Sequence, residues 1–244
     1  MPEDPFKASQ HALALLKTLA CTSILDALEH RGYDAIFMRG VRTLTPGCKL
    51  VGRAVTLRFL PVRPDLKQEV RSRWDSAEYR AMELCGPGDV LVIDAMGWPF
   101  ASVGGEIKFL RLKRRGAAGL VTDGAVRDTA ALKTYGFAIF AQNPTAKAGP
   151  TDMLPYEENV YIQCGGVLVK PGDVICGDDD GVVVVPQHLV DAVIHEAAED
   201  EAIETWIKQE LAAKDVSPGR YYPVTDATKQ AFAEAQRTRR GTSR

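Results

Sequence analysis

Three short apolar segments, separated by stretches with helical periodicity, constrain the fold of this chain more than any other feature. The segments span 88–94, 118–122 and 137–141, and polar loop residues follow each of them. Short apolar strands that alternate with helices favour a parallel sheet whose strands are joined by crossover helices. A chain of 244 residues is long enough to bury such a sheet without disulfide crosslinks.

The region before these segments predicts further helices and one long strand. Hydrophobic residues at spacings of three and four predict helices within 8–31 and over 65–84. Thr22 or Ser23 is expected to cap a second helix inside the first of these regions. The alternating, β-branched segment 50–62 predicts a strand.

The region after these segments is different in character. Residues 160–187 contain short apolar stretches with turns between them, which predicts a β meander packed against the α/β part. A helix is expected over 188–214, and the basic end of the chain, 237–244, is expected to be mobile. The predicted class is therefore α/β, with a mixed central sheet, and the predicted domains are 1–187 and a helical extension over 188–244.

Composition excludes several classes of protein. Lys and Arg together number 30 and Asp and Glu 32, a net charge of −2, so no broadly basic nucleic-acid binder is expected. No apolar run reaches the length of about 18 residues that a membrane helix needs, and residues 1–10 lack the apolar core of a secretion signal. Five cysteines with no C-x-x-C spacing indicate reduced, mostly buried thiols in a cytoplasmic protein.

Polar loops at the ends of the predicted strands are the place to look for chemistry. In open α/β sheets, ligands bind beyond the carboxyl ends of the strands. The loops at 94–100, 123–128 and 142–145 follow three such strands, and Gly104 and Gly105 precede the next predicted helix. No nucleophile elbow, P-loop or dinucleotide-binding glycine loop occurs in the sequence.

Five residues in these loops have suitable chemistry for an anionic ligand and a cation. Gly104, Gly105 and Glu106 begin a helix, where backbone N–H groups bind carboxylates or phosphates, although a simple tight turn would look the same. Arg127 offers a planar donor pair for an oxyanion. Asp128 offers a hard oxygen ligand for Mg²⁺ or Mn²⁺. A local ion pair or a helix cap is the alternative for these two charged residues.

Other side chains near the same loops are ambiguous or structural. Met96, Trp98 and Phe100 are expected either to shape a pocket or to pack in the core. The acidic run at 178–180 lacks the alternating pattern of a calcium loop, so we expect it to form a turn before a buried strand.

The order of these motifs resembles the 4-hydroxy-4-methyl-2-oxoglutarate aldolase family, which also contains the regulator of ribonuclease activity A proteins. The resemblance covers roughly 15–187, and it rests on TSILDALEHRG, LVGRAVTL, GPGDVLVID, GGEIKFLRLKRRGAAGLVTDGAVRD and GDVICGDDDGVVVVP. The family signature is an acidic residue, twenty further residues and then Arg-Asp. Here Glu106 precedes 107–126 and Arg127-Asp128, whereas the aldolases of the family carry Asp in place of Glu106.

The resemblance implies a fold and a set of roles. The fold is a single compact α/β/β domain of the swivelling type, assembled as homotrimers or homohexamers. Mg²⁺ or Mn²⁺ would be held directly by Asp128 and through water by Glu106. Arg127 would bind the substrate and stabilise an enolate oxygen, and the N–H groups of Gly104 and Gly105 would hold a carboxylate.

The activity that the resemblance implies is a metal-dependent pyruvate aldolase. Its substrate would be a small 4-hydroxy-2-oxo acid similar to 4-hydroxy-4-methyl-2-oxoglutarate, cleaved to pyruvate through an enolate. Decarboxylation of oxaloacetate passes through the same enolate, so one site could serve both reactions. Two alternatives stay open at this point: a non-catalytic, protein-binding regulator of ribonuclease type, and a different lyase or dehydratase reaction on a sugar-derived 2-oxo acid.

Overall fold

The computed structural model describes residues 8–71 and 74–241. The chain divides into two compact units, Met1–Ile194 and His195–Arg244. The division falls inside one helix, and the domain boundary predicted at 187/188 stays a prediction.

Eight α-helices are found in the described residues: α1 (Gln10–Leu16), α2 (Cys21–Glu29), α3 (Pro64–Arg71), α4 (Ala77–Leu84), α5 (Glu106–Arg115), α6 (Thr129–Leu132), α7 (Val190–Ala213) and α8 (Asp226–Gly241). The same residues form twelve strands: β1 (Arg42–Thr43), β2 (Leu50–Pro61), β3 (Asp89–Asp94), β4 (Gly119–Thr122), β5 (Ala125–Val126), β6 (Ala138–Ala141), β7 (Asn143–Pro144), β8 (Met153–Glu158), β9 (Ile162–Cys164), β10 (Val167–Val169), β11 (Val174–Asp178) and β12 (Gly181–Val185).

The central sheet has the strand order β1-β6-β4-β3-β2-β11-β12, and β8 also pairs with β2. Its inner strands β2, β3, β4 and β6 are parallel to one another. The three apolar segments that predicted a parallel sheet are therefore confirmed as β3, β4 and β6. The long strand predicted over 50–62 is confirmed as β2.

Strand β2 is hydrogen-bonded along both of its edges, and the sheet around it is nearly closed. One edge of β2 pairs with β3, while the other edge is shared between β11 at its start and β8 at its end. At the far side of the sheet, an antiparallel bridge joins Phe37 to Val183 of β12, and the Met38 N–H donates to the Val182 carbonyl at 2.9 Å. The segment that leads into β1 thus reaches β12, so the mixed sheet is nearly closed.

The core lies on both faces of this sheet. On one face, Leu91 of β3 is buried in the same cluster as Phe109 of α5. On the other face, Val92 is buried in a cluster with Val167 of β10. Burial on both faces explains why these strands are continuous apolar runs rather than alternating ones.

The first helical region forms two helices, and the cap expected for the second is wrong. Helix α2 begins at Cys21, with Ala20 at the N-cap position, so Thr22 and Ser23 lie inside its first turn. The Cys21 N–H instead donates to Oδ2 of Asp178 at 2.9 Å. The carboxylate that stabilises the start of α2 comes from a residue far along the chain, and local sequence rules do not consider such a residue.

Two further predictions need correction. The helical period over 65–84 is divided between α3 and α4, and Trp74 between them is 88% exposed. The strands predicted within 160–187 are present, but they do not form one meander. Strands β9 and β10 make a separate hairpin, whereas β11 and β12 belong to the central sheet beside β2.

The second unit has its own small core. Ile203, Trp206, Ile207 and Tyr221 are buried together, and Phe232 of α8 packs against them. The Trp206 and Tyr221 rings meet edge to face at 5.1 Å. Helix α8 extends to Gly241 and so includes most of 237–244, which the sequence predicted to be mobile, and 242–244 lie outside the described residues. Ala231, Phe232 and Ala235 form an apolar face on α8 that packs against this core. This face explains why the otherwise polar segment folds.

All five cysteines carry free thiols, as predicted, and four of them are buried. Burial raises the pKa of Cys85 and of Cys176 to about 12. These thiols therefore stay protonated at neutral pH and are not suited to act as nucleophiles.

Among the described residues, no single helix is long and apolar enough to cross a membrane. Helices α1 and α2 together reach that length and composition, but they are bent by 106° at the break between them. Their apolar side chains, such as Leu16 and Ile24, are completely buried in the protein.

Candidate active site

A cavity of about 390 Å³ lies beside the loop that leads into α5. Gly104, Gly105, Glu106, Arg127 and Asp128 all line this cavity. The structure therefore brings together all five residues that the sequence analysis selected for an anionic ligand and a cation, although the two groups are about twenty residues apart in the chain. The roles of these residues in binding a ligand and a metal ion stay predictions.

Backbone pairing fixes the loop beside the segment that carries the charged residues. The Val103 N–H donates to the Ala125 carbonyl at 2.9 Å, and the Arg127 N–H donates to the Gly104 carbonyl at 3.1 Å. The two segments thus run side by side like parallel strands. This pairing places the side chains of Arg127 and Asp128 against Gly105.

Gly105 is required because no side chain fits at its position. A Cβ atom there would lie 2.2 Å from Oδ2 of Asp128 and 2.7 Å from Cγ of Arg127. The backbone of Gly105 is extended, with φ −156°, a conformation that any residue adopts. Space, rather than backbone freedom, is therefore what demands glycine here.

Asp128 uses one carboxylate oxygen within the protein. Oδ2 accepts from the Glu106 N–H at 3.1 Å and lies 3.5 Å from Nε of Arg127. The local ion pair considered from the sequence is thus observed, whereas Asp128 makes no side-chain cap on α6, the helix it precedes, and binds the first N–H of α5 instead. For Oδ1 the described residues supply no hydrogen bond, so it is available to a ligand. The residue is held at φ 59°, a left-handed conformation that Asp tolerates better than most residues.

Glu106 is the first residue of α5, and its side chain is exposed at the cavity. The Tyr135 hydroxyl donates to the Glu106 carbonyl at 3.0 Å. Desolvation, together with the charges of Glu106 and Asp128, raises the pKa of Tyr135 above its ordinary value. The hydroxyl of Tyr135 therefore stays a donor at neutral pH, close to both carboxylates.

The two glycines that line the cavity carry backbone N–H groups without a partner among the described residues. Gly104 and Gly105 are buried, and within the part of the chain that the structure describes neither N–H has a hydrogen-bond acceptor. Buried N–H groups are nearly always paired, so an exception at a cavity is informative. With the start of α5 beside them, these donors suit a carboxylate.

An ion pair that the sequence analysis missed also lines the cavity. Nζ of Lys108 lies 2.5 Å from Oε2 of Glu78, and the two side chains are only 29% and 12% exposed. Lys108 lies on the first turn of α5, and Glu78 lies on α4. Its position two residues after Glu106 could have identified Lys108 as a residue near the site, but nothing in the sequence spacing pairs it with Glu78.

The three large side chains in the loop after β3 neither line the cavity nor pack in the core, the two roles expected from the sequence. Met96, Trp98 and Phe100 are 37%, 42% and 60% exposed, and none of them lines the cavity that contains Arg127. Trp98 and Phe100 meet edge to face at 5.0 Å, and the indole N–H of Trp98 donates to Asp152 at 2.9 Å. Their own contacts and that hydrogen bond hold them at the surface.

Asp123, in contrast, has a structural role. Its carboxylate accepts from the Ala95 N–H at 2.7 Å, from the Gly97 N–H at 2.9 Å and from the Gln163 amide at 2.7 Å. Burial raises the pKa of Asp123, and these donors partly oppose the increase. The residue therefore fixes the loop after β3.

The acidic run at 178–180 is confirmed as a turn. It connects β11 to β12, and Asp178 pairs with Gly181 in the register of that hairpin. Oδ1 of Asp178 accepts from the Asp180 N–H at 3.1 Å, and its other oxygen binds the start of α2. These contacts account for Asp178 without a bound cation.

The carboxylates of the cavity fit a divalent metal ion. Mg²⁺ and Mn²⁺ prefer oxygen ligands, and Mg²⁺ is commonly held by one or two carboxylates together with water. Oδ1 of Asp128 and the carboxylate of Glu106 have no partner among the described residues. A hard cation bound by these two groups would match the donor set that the cavity provides.

Comparison with known proteins places these features in a family. Residues 21–184 match the family model described as "RraA-like: Aldolase/RraA". A protein of Halalkalibacterium halodurans named "Putative 4-hydroxy-4-methyl-2-oxoglutarate aldolase" is 35% identical over 201 residues, which cover 81% of this chain and 89% of that protein. Protein DlpA of Legionella pneumophila is 26% identical over 201 residues, which cover 82% of this chain and 32% of that protein.

Solved structures share the same fold. RraAS2 of Streptomyces coelicolor, described as an unusual member of the RNase ES inhibitor RraA protein family, matches with a TM-score of 0.77 and 29% identity. The match covers 84% of this chain and all of that structure. The mixed α/β architecture described above is therefore an architecture that this group of proteins shares.

Proposed function

This chain belongs to the RraA-like family, Aldolase/RraA, and on that premise we propose that it is a divalent-metal-dependent lyase that cleaves a 4-hydroxy-2-oxo acid to pyruvate. The observation that carries the proposal is the convergence of Glu106, Arg127 and Asp128 around Gly105 in one cavity. The aldolase name of the Halalkalibacterium halodurans relative supports the same class of reaction.

The 2-oxo acid end of the substrate would bind between the glycines and Arg127. The free N–H groups of Gly104 and Gly105 would donate to the C1 carboxylate. The Arg127 guanidinium would donate to the 2-oxo oxygen, where negative charge develops as the enolate forms. A donor placed in advance at such an oxygen typically contributes about 10²–10³ in rate.

Bond cleavage also requires a proton acceptor for the C4 hydroxyl. The Glu106 carboxylate would accept this proton, directly or through a water molecule, as a general base. The C3–C4 bond then breaks, its electron pair becomes the enolate, and protonation at C3 gives pyruvate. Loss of carbon dioxide from oxaloacetate leaves the same enolate, so we expect that activity as well.

Asp128 directly, and Glu106 through water, would hold the metal ion, Mg²⁺ or Mn²⁺. When bound, a divalent ion supplies Lewis-acid polarisation of the 2-oxo group and shares the charge of the enolate. Arg127 lies 3.5 Å from Asp128, so the Arg127 hydrogen bond and the metal ion would act on the 2-oxo group at the same end of the cavity.

Pyruvate release tests this proposal directly. We would follow it by coupling to lactate dehydrogenase, with 4-hydroxy-4-methyl-2-oxoglutarate, 4,5-dihydroxy-2-oxopentanoate and oxaloacetate as substrates. Activity should need Mg²⁺ or Mn²⁺, disappear with EDTA, and fall about 10²–10³-fold in Arg127→Met. Arg111→Met is the matched control, because Arg111 lies on α5 but pairs with Glu83 outside the cavity. Folded, metal-loaded protein that releases no pyruvate from any of them would refute the proposal.

A second candidate function is regulation by protein binding. The likeness to RraAS2, which is described within a family of ribonuclease inhibitors, is the observation that favours it. Asp128→Ala separates the two candidates, because it should abolish cleavage but leave ribonuclease binding nearly unchanged. Another lyase or dehydratase reaction on a sugar-derived 2-oxo acid would be recognised by product analysis. For any of these functions we expect a homotrimer or homohexamer, which sedimentation analysis would show.

A further inference from the structure

Two clusters of charge flank the glycine pair of the cavity. A Cβ atom at Gly105 would lie against Asp128 and Arg127, as described above. A Cβ atom at Gly104 would lie 3.4 Å from Cδ of Lys108, whose ammonium group pairs with Glu78. The cavity therefore has a reacting end beside Arg127 and Asp128 and a second polar end beside Lys108 and Glu78.

We propose that the Lys108–Glu78 ion pair selects substrates whose far end, beyond C4, is uncharged and hydroxylated rather than a second carboxylate. The inference rests on the proposed function, because it takes the Arg127 end as the site of the 2-oxo acid. It assigns the chemical class of substrate that the cavity accepts: a 2-oxo acid of the kind derived from a sugar. This class differs from the dicarboxylate in the name of the Halalkalibacterium halodurans relative.

The charges lining the cavity argue against a second carboxylate. Both lining cations already lie beside a carboxylate: Lys108 is 2.5 Å from Glu78 and Arg127 is 3.5 Å from Asp128. Glu106 adds a third carboxylate to the described lining. A second carboxylate on the substrate would meet Glu78 at the Lys108 end, where the one lining cation is already paired. Partly buried charges are screened weakly by salt, so this repulsion would persist at physiological ionic strength.

A hydroxyl group, in contrast, matches the ion pair on both sides. A hydroxyl donates one hydrogen bond and accepts up to two. It can therefore donate to Glu78 and accept from Lys108 without disturbing their contact. Hydrogen bonds in which one partner is charged are stronger than neutral ones, so the pair would recognise a hydroxymethyl group specifically.

The ion pair is held firmly enough to discriminate between ligands. Glu78 is 12% exposed and Lys108 29% exposed, whereas the neighbouring bridge between the same two helices, Arg111–Glu83, is about half exposed on both sides. Only the first bridge lines the cavity. The second one, an Arg–Glu bridge between the same two helices, therefore provides a control for substitution of a bridging glutamate away from the cavity.

Binding of two uncleavable ligands tests the selectivity. 2-Oxoglutarate and 5-hydroxy-2-oxopentanoate have the same number of carbons and differ only in a C5 carboxylate or hydroxymethyl group. Neither carries the C4 hydroxyl that cleavage needs, so titration calorimetry measures binding alone. The wild type should bind the hydroxy acid about tenfold more tightly, the change expected from one charge-assisted hydrogen bond.

Variants of the pair should change this preference in a defined direction. Glu78→Gln leaves Lys108 unpaired, so affinity for 2-oxoglutarate should rise about tenfold and the preference should disappear or reverse. Lys108→Gln should weaken binding of the hydroxy acid and leave 2-oxoglutarate disfavoured. Glu83→Gln should keep the wild-type preference. Thermal unfolding checks that each variant is folded, and Lys108→Gln provides the test if Glu78→Gln does not fold.

Turnover distinguishes failure of this inference from failure of the proposed function. 4,5-Dihydroxy-2-oxopentanoate and 4-hydroxy-2-oxoglutarate are cleavable compounds with the same difference at C5. Faster pyruvate release from the first supports the inference, and faster release from the second overturns it while the proposed function stands. Pyruvate from neither, with the binding preference retained, overturns the cleavage but supports the selectivity of the cavity. Equal binding of both ligands by the wild type overturns the selectivity.

Discussion

Replacing Gly105 by alanine should inactivate the protein while leaving it folded. The added methyl carbon would lie 2.2 Å from Oδ2 of Asp128, roughly 1.2 Å closer than the 3.4 Å at which ordinary contacts begin. It would also lie 2.7 Å from Cγ of Arg127. Because the backbone at Gly105 is extended, the substitution introduces no strain of its own, and the two side chains must move instead.

The size of the effect follows from how far they move. Displacing a reacting group by about 1 Å can cost a hundredfold in rate, and both proposed active-site side chains are displaced here. We therefore expect kcat/KM to fall at least about a hundredfold. Arg127 and Asp128 are 46% and 42% exposed and can turn outward, so stability should fall only by the lost cap at Glu106, about 1 kcal/mol.

Gly104→Ala is the contrasting substitution. A methyl group at Gly104 would lie 2.8 and 2.9 Å from ring atoms of Phe109, which is completely buried. Overpacking a core of this kind costs about 1–3 kcal/mol, and each kcal/mol lowers Tm by about 2–4 °C in a protein of this size. Neighbouring glycines should therefore separate loss of activity from loss of stability.

Coupled pyruvate assays and thermal unfolding, both below the Tm of the less stable variant, measure the two effects. Gly105→Ala with a rate within twofold of the wild type would refute the reasoning, because the site could then tolerate displacement of Asp128. The reasoning would also fail if the activity of both variants simply followed their Tm values.

Other predictions concern single groups around the site. Asp123→Asn should cost about 1–3 kcal/mol by denaturant unfolding, because an amide cannot accept from the Ala95, Gly97 and Gln163 donors together. Burial raises the pKa of Asp123 above 3.8, so the cost of Asp123→Asn should be largest below that pH and should decrease as pH rises through the raised pKa; a wild-type advantage that grew with pH would contradict this. Glu106→Gln should lower kcat about 10²-fold or more, whereas Glu106→Asp keeps a carboxylate and should retain most of the activity; equal loss in both would exclude Glu106 as the base.

The parts of the fold that could be predicted from sequence are those whose surroundings are uniform. Strands β3, β4 and β6 are buried on both faces, so a continuous apolar run identifies each of them without knowledge of its neighbours. The grouping of the site residues could be predicted for a related reason. In a parallel sheet the loops after neighbouring strands meet at one edge, so Gly104–Gly105 and Arg127–Asp128 could be expected to lie together.

Features that depend on a distant partner could not be predicted in this way. Strand β8 contains Pro155, which argues against a strand, but β8 lies along one half of β2 where the register shifts between Arg58 and Phe59. Proline is tolerated at such irregular positions. The start of α2 is stabilised by Asp178, and the partner of Lys108 comes from a different helix. In each case the contact that fixes the structure involves a residue that is distant in the sequence.

In the proposed mechanism the first turn of α5 and the glycine before it connect catalysis with selectivity, yet the two depend on different partners. Gly105 and Glu106 meet Arg127 and Asp128, which the segment after β5 supplies, whereas Lys108 meets Glu78 of α4. Substitution of Glu78 therefore changes the far end of the cavity without moving Oδ2 of Asp128 or its bond to the Glu106 N–H. We therefore expect substitutions on α4 to change substrate preference without changing the proposed C3–C4 cleavage. The kcat for a good substrate should respond to Arg127 and Glu106 but only weakly to Glu78.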